Sequence, residues 1–145
     1  MRKIIVIIAA LGMISLPALS QTLSADETAV IAVLNDFHDA AAKADPQRYL
    51  GHLTDNAVFL GTDEKERFPL VPDFTDYVNR GFAAGGWDYY SINKNISFSR
   101  EGSVAWFDET SISNGNGGHF RGSGVLEKID GEWKIAQYVL SFLVY

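Results

Sequence analysis

Acidic side chains that could act as a general acid or base occur at two places in the sequence. The first is the segment 61–67, where Asp63, Glu64 and Glu66 lie between a short apolar run and a predicted helix. Crowded carboxylates raise one another's proton affinity, and a base tuned in this way can remove a proton at neutral pH. The alternative is structural, with Asp63 or Thr62 accepting hydrogen bonds from loop amides, and with Glu66 and Arg67 making ordinary ion pairs at the surface.

The second place is a predicted strand in the carboxyl-terminal half of the chain. Alternation along this strand puts Trp106 and Asp108 on one face. It puts Phe107 and Glu109 on the other face, so one carboxylate must face inward beside an aromatic ring. Such a carboxylate would have a raised pKa and could transfer a proton next to a carbonyl. The alternative is a buried salt bridge, most simply to Arg121 on the next strand.

The three histidines, His38, His52 and His119, are isolated from one another in the sequence. None forms a pair with metal-ligand spacing or a triad with a nucleophile, and the acidic residues match no calcium loop. We therefore expect no metal and no cofactor. We expect His38 in the core or at the rim of the first helix, and His119 at the surface.

The amino-terminal segment has the pattern of a secretory signal peptide. Arg2 and Lys3 precede an apolar run over residues 4–16, and an A-x-S cleavage pattern ends at Ser20. The run is shorter than the roughly twenty residues that a membrane-spanning helix needs. We expect residues 1–20 to be removed, the protein to be exported to a periplasm or out of the cell, and the mature chain, residues 21–145, to contain no membrane span.

Composition limits what the mature chain can be. Its length fits one domain with a hydrophobic core, and the absence of cysteine excludes disulfides. The formal net charge of the full chain is −6, and loss of Arg2 and Lys3 would make it more negative. The remaining basic residues are scattered among acidic ones, so we expect no binding to nucleic acid.

Three helices are predicted in the first part of the mature chain. Ser24 and Glu27 form a capping box before an apolar stripe with helical spacing. Asp45-Pro46 ends this helix and begins a short second one. A short buried strand over residues 57–60 precedes a third helix, which begins near Pro72 and ends at Gly85-Gly86.

Strands follow, because the apolar period changes to two after Asp88. The alternation predicts that one face of the first long strand consists of Tyr90, Ile92, Ile96 and Phe98. Glycine-rich turns and a two-residue hairpin at Asp130-Gly131 separate four long strands, which we expect to form a meander. Helices followed by such strands predict an α+β fold.

The chain resembles the SnoaL-like branch of the nuclear-transport-factor-two-like superfamily. The matching segments, in chain order, are Gly61-Thr62-Asp63 with Glu66-Arg67, Gly86-Trp87, and residues 105–109, 121–126 and 133–142. The resemblance implies a cone-shaped, curved antiparallel sheet covered by the N-terminal helices, over residues 21–145. This fold serves isomerases, cyclases, dehydratases, non-catalytic binders and transport modules, so it does not specify a reaction.

A cone leaves a cavity at its wide end, where a small organic molecule of unknown identity could bind. The residues that we expect to contact such a ligand are Trp87, Trp106, Glu109, Arg121 and Tyr138. If the protein is an enzyme, we expect Asp63 or Asp108 to be the base of an isomerase or cyclase, with Tyr138 and Arg121 stabilising an oxyanion. The alternative is a non-catalytic interaction module that forms a homodimer through the outer face of its sheet.

Overall fold

A computed structural model describes residues 23–144, so the predicted signal peptide lies outside the described residues. Two amino-terminal helices precede a curved six-stranded sheet, into which a third helix is inserted after the second strand. The helices are α1 (Ala25–Ala42), α2 (Pro46–Gly51) and α3 (Thr75–Ala83), the last preceded by a kinked turn (Leu70–Phe74). The strands are β1 (Leu53–Leu60), β2 (Arg67–Pro69), β3 (Tyr89–Phe98), β4 (Val104–Ser113), β5 (His119–Ile129) and β6 (Glu132–Phe142).

The helix starts follow the predicted capping residues. The Ser24 side chain accepts a hydrogen bond from the amide of Glu27 at 3.0 Å, and the Asp45 side chain accepts one from the amide of Arg48 at 3.1 Å. Each bond satisfies a backbone donor that has no partner inside its helix. None of the helices among residues 23–144 is long and apolar enough to cross a membrane.

The sheet is mixed, which corrects the prediction that it is antiparallel throughout. Its strand order is β2-β1-β6-β5-β4-β3, and the meander from β3 to β6 is antiparallel as predicted. The chain then returns to the middle of the sheet, where β6 pairs with β1 in parallel. The α+β cone architecture itself is confirmed.

A bulge in β3 corrects the predicted face of that strand. Ser91 pairs with Ser111 and Asn93 pairs with Thr110, so Ile92 is an extra residue in β3. The extra residue reverses the alternation, because each residue moves the side chain to the opposite face. Tyr90 and Ile92 are therefore exposed, although they were predicted to share a face with Ile96 and Phe98.

The core lies between the helices and the concave face of the sheet. From the helices it receives fully buried apolar side chains such as Val30, Leu34 and Phe37 of α1. From the sheet it receives the inward side chains of the central strands, such as Leu126 and Ile135.

Candidate functional site

A cavity of about 270 Å³ lies between the helices and the sheet. It is bounded by α1, by the ends of β1 and β6, by the start of β5 and by the end of β4. Exposed residues such as Thr62, Asn116 and Phe142 also line it, so it reaches the surface. Most of the wall is aromatic, formed by Phe37, Tyr49, Phe59, Tyr77, Trp87, Tyr89, Phe120 and Tyr138.

Behind this aromatic wall lies a carboxylate with no solvent exposure, that of Glu109 on β4. Its Oε1 atom is 2.6 Å from Nε2 of His38 and accepts a hydrogen bond of 2.8 Å from the hydroxyl of Tyr138. His38 and Tyr138 both line the cavity, whereas Glu109 does not. The carboxylate therefore acts on the cavity through these two side chains, which it holds in place.

Lys94 supplies a positive charge to the other oxygen of the same carboxylate. Its Nζ atom is 3.4 Å from Oε2 of Glu109, and its side chain is 11% exposed. Lys94 faces inward because it lies on the same face of β3 as Ile96 and Phe98, beyond the bulge, and pairs with Glu109 on the neighbouring strand. It thus provides the counter-charge that a buried carboxylate requires.

The electrostatic environment keeps Glu109 ionised. Burial alone would raise its pKa, but the hydrogen bond and charge of His38, the charge of Lys94 and the hydrogen bond from Tyr138 outweigh that effect. The pKa of Glu109 falls to about 2. Burial, together with the adjacent negative charge of Glu109, raises the pKa of Tyr138 well above its ordinary value. At neutral pH, Glu109 is therefore an acceptor and Tyr138 a donor.

The state of Glu109 decides the tautomer of a neutral His38. An ionised carboxylate can only accept, so Nε2 of His38 must carry the proton that lies between them. In the neutral ring, Nδ1 is then an acceptor with a free lone pair. This arrangement suits a histidine that accepts a proton.

A glycine makes room for the hydrogen bond from Tyr138. Gly122 on β5 pairs with Glu109 on one side and Leu140 on the other. A Cβ atom at this position would lie 2.2 Å from the hydroxyl oxygen of Tyr138 and 2.9 Å from Oε1 of Glu109. Any larger residue would displace one of these groups, so the glycine has a steric role here.

The structure corrects the predicted placement of Asp108, Trp106 and Arg121. All three are exposed on the outer face of the sheet, and Trp106 is 50% exposed. Asp108 accepts a hydrogen bond from Asn95 at 3.0 Å rather than facing the cavity. Both faces of β4 carry an aromatic residue and an acid, and the face with Phe107 is the one that packs against the core.

Asp63 also lies outside the cavity. Its side chain is exposed and accepts a hydrogen bond from the backbone amide of Lys65 at 2.9 Å, which stabilises the loop. The carboxylate of this loop that does line the cavity belongs to Glu66. The catalytic roles suggested for Asp63 and Asp108 thus have no support from position.

Among the predicted ligand contacts, Trp87 and Tyr138 line the cavity, and Glu109 lies directly behind it. No functional role was predicted for His38 from the sequence. One signal was present, because His38 falls within the helical spacing of Val30, Leu34, Phe37 and Ala41, the inward stripe of α1. A histidine in such a stripe needs a buried partner, and the partner here is 71 residues away on β4.

Breaking the Lys94–Glu109 pair from one side should destabilise the protein more than removing both charges. Glu109→Gln leaves Lys94 without a counter-charge, and we expect a loss of about 3 kcal/mol in the free energy of unfolding. Adding Lys94→Met should recover at least about 1 kcal/mol of this loss. Urea unfolding at pH 7 measures both values. Asp108→Asn, the same change at the exposed neighbouring acid, should cost less than about 0.5 kcal/mol, and strictly additive effects would contradict the pairing.

Acid should lower the free energy of unfolding of the wild-type protein more than that of a variant without the Glu109 carboxylate. Because folding lowers the pKa of Glu109 from 4.5 to about 2, its contribution is complete above pH 4.5 and is lost as the pH falls towards 2. The contribution is on the order of 3 kcal/mol. Asp36 also has a pKa of about 2, owing to its hydrogen bond with Arg48, so both proteins should carry Asp36→Asn. Urea unfolding between pH 5 and pH 2 should then show a flatter profile for Glu109→Gln; parallel profiles would contradict this expectation.

Comparison with known proteins places the chain in a family. The SnoaL-like domain profile matches residues 30–145, and no curated protein matches the sequence. Among solved structures, an NTF2-like protein of unknown function from Pseudomonas putida has a TM-score of 0.71 at 13% identity, covering 81% of this chain and 86% of that one.

Two other structural neighbours have assigned chemistries. A proposed aromatic ring hydroxylase from Novosphingobium aromaticivorans has a TM-score of 0.70 at 18% identity, covering 86% of this chain and 94% of that one. A proposed ketosteroid isomerase from Parabacteroides distasonis has a TM-score of 0.66 at 14% identity, covering 83% and 89%. Identities this low establish a shared fold and no shared activity. With the profile match across most of its length, the chain belongs to the SnoaL-like domain family.

Proposed function

We propose that the protein binds a small, uncharged and largely aromatic molecule in the cavity at the wide end of its cone. The observation that carries this proposal is the cavity itself, which reaches the surface and has an aromatic wall interrupted by a few polar groups. Apolar cavities of roughly 150 Å³ accommodate benzene. A volume of about 270 Å³ leaves room for a substituted ring or a small fused ring system.

The charges around the cavity support an uncharged ligand. Its lining includes Glu66 but neither lysine nor arginine among the described residues. Lys94, the nearest buried cation, is engaged with Glu109 behind the wall. A ligand carboxylate would therefore lose its hydration without gaining a cationic partner, which costs free energy.

Binding should raise the thermal stability of the purified protein. With indole or 4-methylphenol at about a hundred times its dissociation constant, the gain is about 2.7 kcal/mol, and the midpoint should rise by several degrees. Thr62→Trp should abolish the shift, because Thr62 lies at the mouth of the cavity. Lys65→Trp places the same ring in the same loop away from the cavity and should leave the shift intact. No shift with any neutral aromatic compound, or an equal shift in both variants, would refute the proposal.

A second candidate function is cofactor-free proton transfer on a bound carbonyl compound, with His38 as the base. The hydrogen bond from Nε2 to Glu109 orients the ring and favours a lone pair on Nδ1. His38 thus replaces Asp63 and Asp108 as the candidate base. On a substrate that is turned over, His38→Gln should lower kcat by about a hundredfold or more. Asp108→Asn should leave kcat unchanged, and the opposite pattern would exclude His38 as the base.

We also propose that the protein is exported and that it self-associates through the outer face of its sheet. Export rests on the signal-peptide pattern of residues 1–20. Association rests on exposed apolar side chains on that face, including Trp106 and Ile92. The intact mass of the exported protein should be that of residues 21–145, and a chain that keeps residues 1–20 would refute export by this signal. In sedimentation the mature protein should be a dimer, and a monomer would refute the self-association.

A further inference from the structure

One hydroxyl on the wall of the cavity has no hydrogen-bond partner in the described part of the chain. Ser111 on β4 has no solvent exposure, and its Oγ atom is buried without a partner. The residue nevertheless lines the cavity. A buried hydroxyl left unpaired destabilises a protein relative to a methyl group, so its presence at this position calls for an explanation.

The residues around Ser111 do not form the missing bond. On β3, the paired Ser91 donates its hydroxyl to the carbonyl of Asn93 at 2.8 Å, inside the bulge. On β5, the paired residue is the apolar Phe120. Two positions back along β4, Glu109 is bonded through Oε1 to His38 and Tyr138, while its Oε2 also has no hydrogen-bond partner within residues 23–144 and lies 3.4 Å from Nζ of Lys94. Because Ser111 lines the cavity, a molecule bound there can supply the bond.

We propose that Ser111 is the specificity-determining residue of the cavity, and that it binds a hydroxyl or carbonyl oxygen on an uncharged aromatic ligand. This inference rests on the binding function proposed above and adds the chemical class of the ligand. A serine hydroxyl can donate to a carbonyl and either donate to or accept from a hydroxyl, so it pairs with both groups. An anionic oxygen would instead meet Glu66 in the cavity and Glu109 behind the wall.

The polar side chains near Ser111 indicate where the ligand's polar group would lie. Ser111 and Glu109 are two residues apart on one strand, so their side chains share the inward face. His38, which is bonded to Glu109, also lines the cavity. A ligand oxygen at Ser111 would thus lie on the side of the cavity where the polar groups of the cone interior are concentrated, with its ring against the aromatic wall.

Matched probes can isolate this contact. 4-Methylphenol and 1,4-dimethylbenzene have nearly the same shape and differ by a hydroxyl in place of a methyl group, while 4-methylbenzoate adds a negative charge. Titration followed by amide chemical shifts in the purified protein should give about three- to tenfold tighter binding of the phenol than of the hydrocarbon. The benzoate should bind most weakly of the three.

Removing the hydroxyl should abolish the preference for the phenol without harming the fold. Ser111→Ala should bind the two neutral probes equally well, and its unfolding midpoint without ligand should equal or exceed that of the wild type. Ser97→Ala removes an exposed hydroxyl on β3 and should keep the preference for the phenol.

Any of the other outcomes would overturn the proposed role of Ser111. A phenol preference that survives Ser111→Ala, or equal binding of both neutral probes to the wild type, would overturn the role of Ser111 and leave the binding function standing. A large fall in the unfolding midpoint of Ser111→Ala would show that the hydroxyl has a structural partner, which also overturns the proposal. If neither neutral probe binds the wild type, the proposed binding function fails together with this inference.

Discussion

The structure depends on how one negative charge is accommodated inside an apolar cone. Glu109 has no solvent exposure, and a carboxylate in such a place is unstable unless it is paired and hydrogen-bonded. Three side chains from three different elements meet this requirement, namely His38 of α1, Lys94 of β3 and Tyr138 of β6. The carboxylate therefore ties the first helix to the sheet and fixes the polar side of the cavity.

Two irregular features of the sheet shape the interior of the cone. The bulge at Ile92 reverses the alternation of β3, so that Tyr89 lines the cavity while Tyr90 is exposed. Gly122 leaves the space in which the hydroxyl of Tyr138 reaches the carboxylate. A regular β3 would turn Tyr89 to the outer face, and a side chain at position 122 would separate Tyr138 from Glu109. Bulges and glycines in strands are often found near functional sites.

Local patterns in the sequence predicted the elements of this fold well. The capping residues Ser24 and Asp45 mark the true helix starts, and Asp130-Gly131 forms the predicted hairpin with both residues at positive φ. These signals act over a few residues, so they are visible without the fold. The parallel pairing of β1 with β6 depends on residues about eighty positions apart, and no local pattern reports it.

The site was harder to predict because alternation along a strand does not decide which of its two faces is buried. Both faces of β4 offer an aromatic residue and an acid, so period alone could not distinguish Asp108 from Glu109. The bulge that turns Tyr89 rather than Tyr90 inward has no sequence signal in β3, where the apolar residues keep their spacing across it. His38 lies in the inward stripe of α1, but its partner becomes apparent only when α1 packs on β4.

Glu109 is ionised inside the cone and organises the polar side of the cavity. Carbon-13 NMR of the side-chain carboxyl carbon of Glu109, assigned by comparison with Glu109→Gln and followed from pH 7 to pH 2, measures this directly. The resonance should keep the shift of an ionised carboxylate through pH 4.5 and approach its titration midpoint only near pH 2. A midpoint at or above pH 4.5 would mean that burial outweighs the hydrogen bonds and charges of His38, Lys94 and Tyr138, and would contradict the ionised state of Glu109.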